Sequence, residues 1–218
     1  MKQNLYKFKQ AYERTMVRLD LRHIDKEMQL FDKRRDEMLQ KCHEAIRFSK
    51  RVIYAIHRDD KDAGELAKQL KEKIQKLRTR GELQFSQTYK VAMQEYVEAI
   101  CLYDFVIHDK VPTQKELFVS APDYLSGLCD LTGELMRKAN YFAINGNMKD
   151  ALRVKELVDK IYEQFLLLEI RDNELRKKFD SVKYNLQKLE DLVLHMQKRQ
   201  RARAKISRPS SAQHRQQQ

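Results

Sequence analysis

Four carboxylates at helical spacing are the residues of this chain best suited to chemistry. Glu95 and Glu98 stand in Gln94-Glu95-Tyr96-Val97-Glu98-Ala99, and Asp130 and Glu134 in Asp130-Leu131-Thr132-Gly133-Glu134-Leu135. The first pair interrupts the most apolar stretch of the chain, Val91 to Ile107, whose only acids are Glu95, Glu98 and Asp104. At about 100° per residue, Val91, Glu95, Glu98 and Leu102 share one stripe of a helix. An ionised carboxylate on such a stripe is costly unless positive charge meets it. A second helix with acids at i and i+4 could complete an all-oxygen site for a hard divalent cation, Mg²⁺ or Mn²⁺. The same spacings also occur on ordinary solvated helix faces. The two pairs form a site only if their helices meet.

The elements that must position these acids are helices. Five glycines and three prolines punctuate 218 residues, while Leu, Glu, Lys, Gln and Arg abound, so long helices with almost no sheet are expected. A first helical region spans about Asn4 to Arg58 with a break near Asp20 to His23, and a second spans Ala63 to Arg78. The carboxylate helix runs from Leu83 to His108 and ends before Pro112. A short piece covers Thr113 to Leu117. Ser120-Ala121-Pro122-Asp123 then opens a fourth long helix to Asn145, closed by Asn145-Gly146-Asn147. A fifth runs from Met148 to Glu169, and the last begins after Arg171-Asp172-Asn173. On the fourth, Leu128, Leu135, Ala139, Phe142 and Ala143 form an apolar arc. Asp123, Gly127, Asp130, Glu134 and Arg137 lie opposite and read, by themselves, as a solvated face. Gly127 and Gly133 are unfavourable inside a helix, which a close approach of another helix or a ligand would justify. In the last helix Leu175, Phe179, Val182, Leu186, Leu189, Val193 and Met196 form a heptad seam, facing either another subunit or the core of the same bundle.

Composition narrows the class. No apolar run approaches the roughly 20 residues that span a bilayer, and the N-terminus lacks the apolar core of a signal peptide, so an intracellular, cytoplasmic protein with no membrane partner is expected. Cys42, Cys101 and Cys129 are scattered and read as reduced, buried thiols. The net charge of +12 is uneven, because the segment from Lys198 to Gln218 holds seven Lys and Arg and no acid. That segment reads as a basic tail, disordered past Ile206, suited to phosphate binding, to nuclear import or merely to solubility. The expected organisation is an N-terminal helical extension over 1–23, an all-α domain over 24–197 and the tail over 198–218. His43, His57, His108 and His195 show no ligand spacing and receive no role.

Four segments in order resemble the translin superfamily. They are Gln94-Glu95-Tyr96-Val97-Glu98-Ala99, Asp123-Tyr124-Leu125-Ser126-Gly127-Leu128, Asp130 through Arg137, and Leu175 through Tyr184. The resemblance covers about Ile24 to Gln197. It implies an all-α fold of about seven long antiparallel helices, assembled into closed, hollow oligomers, typically octamers, that bind single-stranded nucleic acid inside. Within that family, translin proper lacks the acidic set, whereas translin-associated factor X carries it as the metal-dependent endoribonuclease subunit. The acids here are similar to the catalytic branch and the last helix to translin, as in single-subunit prokaryotic-type members. A homo-oligomer is therefore expected, with a hetero-oligomer containing a second translin-family chain as the alternative.

The resemblance implies a Mg²⁺-dependent endoribonuclease, with Mn²⁺ as a second metal, acting on single-stranded RNA; single-stranded DNA is a further candidate ligand. Glu95, Glu98, Asp130 and Glu134 are its candidate catalytic and metal-binding residues. The basic, His-rich segment that precedes the carboxylate helix in translin aligns with Gln84 to Lys90, where only Tyr89 and Lys90 keep an aromatic and a base. Arg78, Arg80, Lys90 and Arg137 are the candidate phosphate contacts and Tyr89 the candidate stacking residue. The competing reading is a non-catalytic assembly that binds single-stranded RNA or DNA, with the acids paired internally to Lys or Arg. A helical nucleotide pyrophosphatase and a di-iron bundle are disfavoured, since Glu-Glu-x-x-Glu and Glu-x-x-His are both missing.

Overall fold

A computed structural model describes residues 21–78 and 81–206. Its helices are α1 (Arg22–His57), α2 (Ala63–Leu77), α3 (Gln87–His108), α4 (Gln114–Leu117), α5 (Ala121–Ile144), α6 (Met148–Leu166) and α7 (Asn173–Ile206), with a 3₁₀ turn at Glu82–Phe85. No strand occurs among the described residues, and none of their helices is long and apolar enough to cross a membrane. The expected all-α architecture of about seven helices is what forms. Residues 1–20, most of the expected N-terminal extension, and 207–218, most of the tail, lie outside the described residues. The basic run from Lys198 to Lys205 continues α7.

Short polar side chains set the helix starts by accepting otherwise orphaned backbone N–H groups. Ser86 Oγ accepts from Tyr89 N, Ser120 Oγ from Asp123 N and Asn147 Oδ1 from Asp150 N. Thr113 and Glu116 form a reciprocal capping box at α4. The Ser86 cap corrects the expected start of the carboxylate helix. Leu83 to Phe85 turn as 3₁₀, Ser86 is extended at φ −65° and ψ 142°, and α3 begins only at Gln87.

The core sits around α3 and α5. α3 packs against α1, α2 and α5, and α5 also packs against α6 and α7. The polar face of α5 is partly covered by these neighbours: Asp130 and Glu134 are half-buried, and Arg137 stays exposed. Asp123 and Gly127 are buried there. A Cβ built on Gly127 would lie 2.6 Å from Val97 Cβ and 2.8 Å from the Gln94 carbonyl oxygen, so only glycine lets α3 and α5 approach this closely. Gly133 is exposed and meets only Asn185, 4.0 Å away, so the close approach belongs to Gly127 alone. The α7 seam also finds its partners within the chain. Leu175, Val182, Leu186, Leu189, Val193 and Met196 are all buried, in a helix packed on α5 and α6. All three cysteines are free and buried.

One buried charge ties α5 to the end of α1. Lys138 is 1% exposed, and its ammonium donates to the Ile56 carbonyl at 2.8 Å and to Asp59 Oδ1 at 2.6 Å. Burial raises the Asp59 carboxyl, but hydrogen bonds from Lys138 and Tyr141 outweigh it and hold the group below its usual range. Asp59 has φ 53°, a left-handed conformation that Asn also tolerates. Asp59→Asn therefore removes the charge with little backbone cost. Because the Asp59 side chain is 55% exposed, the expected loss is below the full penalty for breaking a buried pair, about 2 kcal/mol. Urea denaturation at neutral pH measures it, and an unchanged midpoint would show that the Ile56 carbonyl alone satisfies Lys138.

Candidate metal and nucleic-acid site

The contact of α3 with α5 brings the two acid pairs to one place. Glu98 feels the charges of Glu95, Asp130 and Glu134, and burial together with these three carboxylates pushes its carboxyl up to about 8. Lys178, on α7, opposes that shift only weakly. Glu95 is also raised, chiefly by burial; Lys50 and Lys178 oppose the rise, while Asp130 and Glu134 add to it. Such a concentration of half-buried negative charge is costly unless positive charge meets it.

Each acid has a different degree of compensation. Asp130 Oδ2 accepts from Lys178 Nζ at 2.5 Å, and the same ammonium donates to Gln94 Oε1 at 3.0 Å. Glu134 Oε2 lies 2.5 Å from His57 Nε2 and 3.6 Å from Arg137. The His57 hydrogen bond, opposed by burial and aided by Arg137, holds the Glu134 carboxyl low. Glu95 has Lys50 at 4.0 Å. Glu98 has no hydrogen bond or ion pair among the described residues. As they stand, no three His, Cys, Asp or Glu side chains among the described residues are gathered tightly enough to share one ion. Lys178 orients Asp130 and His57 orients Glu134, whereas Glu95 and Glu98 are held by neither.

Spacing gives no sign of these two partners. His57 received no role, yet its side chain is only 8% exposed and reaches Glu134 from the last turn of α1. Lys178 lies in the segment Leu175 to Tyr184, where its spacing does not distinguish it from Lys177. Both act across long sequence separations that periodicity does not encode. The pairing of an acid on α5 with a lysine on α7 was the arrangement a purely structural reading required.

The candidate nucleic-acid residues divide between two places. Arg78, Tyr89 and Lys90 line one groove of about 950 Å³ beside α3, α5 and the start of α7, together with Phe85, Phe118 and Lys178. Arg137 is elsewhere, beside Glu134 and 5.6 Å from the centroid of the exposed Tyr54 ring. Arg80 lies outside the described residues.

A model of the Translin family matches residues 20–200. An uncharacterized protein of Methanocaldococcus jannaschii is 33% identical over 174 residues, covering 76% of this chain and 78% of that protein. Translin-associated protein X of Rattus norvegicus is 26% identical over an alignment covering 83% of this chain and 75% of its own. Among solved structures, apo-NeC3PO superposes with a TM-score of 0.75 at 27% identity, covering 83% of this chain and 98% of that one. AfC3PO in complex with duplex RNA gives 0.73 at 26%, covering 82% and 97%.

Proposed function

The chain belongs to the Translin family, and from that premise we propose that it is a metal-dependent endoribonuclease acting on single-stranded RNA within a closed homo-oligomer, an octamer. The observation that carries this reading is that Glu95, Asp130 and Glu134 lie within electrostatic reach of the largely buried Glu98, on which Lys178 acts only at a distance. Their donor set, entirely oxygen, fits Mg²⁺ or Mn²⁺. Glu95, Glu98, Asp130 and Glu134 would hold the ion. When bound, it supplies a Lewis acid for the phosphate and lowers the pKa of an adjacent water.

The remaining work falls to the chain. Glu134, held by His57 and flanked by Arg137, is the carboxylate best placed to orient the attacking water, because its geometry is fixed from outside the acid cluster. Arg78 and Lys90 contribute phosphate contacts and Tyr89 an aromatic surface. Large exposed apolar side chains, Ile144 at 85% and Leu167 at 77%, are suited to burial against other copies. A mixed assembly with a second family chain would use the same surfaces.

A second reading is favoured by the ion pairs themselves. If Lys178 and His57 are permanent partners of Asp130 and Glu134, the chain is a nucleic-acid-binding assembly without catalysis. The deciding experiment is cleavage of labelled RNA by the wild type and by Glu95→Ala/Glu98→Ala, with Mg²⁺ and with EDTA, while native mass spectrometry reports assembly. Single-stranded and duplex substrates belong side by side, since AfC3PO has been solved with duplex RNA. Cleavage that requires Mg²⁺ and both acids, in an assembly of unchanged mass, supports the nuclease. Binding without cleavage in every sample selects the second reading.

A further inference from the structure

The groove beside α3, α5 and α7 has two unusual walls. Phe118 is 71% exposed and Phe85 68% exposed, so two large rings stand open on one concavity. Phe118 also has φ 53°. A bulky residue in the left-handed region is strained, and glycine would end α4 there at lower cost. What phenylalanine adds is a ring, and Arg78 meets it: the guanidinium lies 4.7 Å from the Phe118 centroid and donates to the Leu117 carbonyl at 3.4 Å. An aromatic ring and a guanidinium plane fixed together make a stacking platform for an unpaired base.

The groove is continuous with the acid cluster. Lys178 lines it and donates to Asp130, and Gln94 lines it while accepting from Lys178 and donating to Asp123 at 3.4 Å. Its lining is balanced in formal charge, and its three cations offer contacts to a phosphate. Arg78, Lys90 and Lys178 face Asp123, Asp172 and Glu174. Asp123 is buried and bonded to Ser120, and Asp172 accepts from Leu175 N, which leaves Glu174 as the acid without such an internal role. The centre of a subunit contact is ordinarily depleted of charge, so nucleic acid fits this surface better than a second copy does.

We propose that this groove seats one unpaired nucleotide of the RNA strand next to the phosphate addressed by the four acids, its base stacked on the Phe118–Arg78 platform and its phosphate held by Lys178. The inference rests on the RNA-binding part of the proposed function, and it makes Phe118 a source of selectivity for single strands. Bases inside a duplex stack on one another and have no free face for the ring.

The test is fluorescence anisotropy in EDTA, so that no cleavage intervenes, using a labelled 12-nucleotide RNA both single-stranded and annealed. Wild type is compared with Phe118→Ala, Phe118→Tyr, Lys178→Gln and Lys178→Arg, with native mass spectrometry on each. Photo-crosslinking of wild type to 4-thiouridine RNA locates the base. Phe118→Ala is expected to weaken single-strand binding by between about 5- and 100-fold, the span seen for one stacked base, with duplex binding unchanged and Phe118→Tyr near wild type. Lys178→Gln should weaken both RNAs and Lys178→Arg should restore them. Cross-links are expected at Phe85, Tyr89 or Phe118. Unchanged affinity in Phe118→Ala without such cross-links overturns the groove assignment while leaving the function intact. A changed oligomer mass with unchanged affinity makes the groove a subunit contact and overturns it equally. Failure of the wild type to bind either RNA sinks the functional reading and the groove with it.

Discussion

Glu98→Gln is expected to abolish Mg²⁺-dependent RNA cleavage, by on the order of 10³-fold or about 4 kcal/mol of transition-state stabilisation, while making the metal-free protein more stable. The second half of that result is the more diagnostic. Burial and three neighbouring carboxylates push the Glu98 carboxyl up to about 8 from an ordinary 4.5. Below pH 4.5 the group is neutral in both folded and unfolded chains and costs nothing. Between 4.5 and 8 the unfolded chain releases the proton while the folded one retains it, so the wild type loses stability as pH rises. Above 8 both forms are ionised and the cost levels off, at about 2–4 kcal/mol after allowance for relaxation and water entry. Glutamine has no such dependence. Melting temperatures in EDTA should therefore diverge from pH 5 upward in favour of the variant, and saturating Mg²⁺ should shrink the gap by stabilising the wild type. A variant less stable than wild type at pH 8 in EDTA would mean that Glu98 has a compensating partner, and the metal assignment would lose its main support.

The second large effect is expected at Gly127. A methyl group there meets the Val97 Cβ at 2.6 Å and a backbone carbonyl at 2.8 Å, neither of which can swing away like the end of a flexible side chain. Gly127→Ala must push α3 from α5. Overpacking of this kind is expected to cost about 3 kcal/mol, against which the gain in helix propensity, about 1 kcal/mol, is too small to compensate. Because the two acid pairs ride on these helices, cleavage should fall further than the folded fraction does. Chemical denaturation and specific activity on the same preparation separate the two losses. A more stable, fully active Gly127→Ala protein would contradict the close packing of α3 on α5.

How much of this was legible in the sequence depended on whether the determining chemistry was local. Helix ends were readable because caps and breakers act within a turn: Ser120 with Pro122, Thr113 with Glu116, and Asn147 beside Gly146 lie where the helices begin or end. Leu83 to Phe85 looked helical by composition, and only the extended Ser86 shows that α3 starts later. The acids Glu95, Glu98, Asp130 and Glu134 stood out because they interrupt an apolar stripe or repeat at helical spacing. Their hydrogen-bonding partners did not. His57 reaches Glu134 across 77 residues and Lys178 reaches Asp130 across 48, and nothing in either local sequence distinguishes that lysine from Lys177. Phe118 escaped notice for a related reason, since the left-handed turn and the exposed ring are visible only once α4 is in place.

The position of Lys178 also bears on how the molecule comes into being. As the chain leaves the ribosome, α1, α3 and α5 are synthesised before α7, so Asp130 is made before the lysine that pairs with it. During that interval Asp130 has no ammonium beside it and Gln94 no donor from α7. The final helix thus closes the bundle electrostatically as well as sterically.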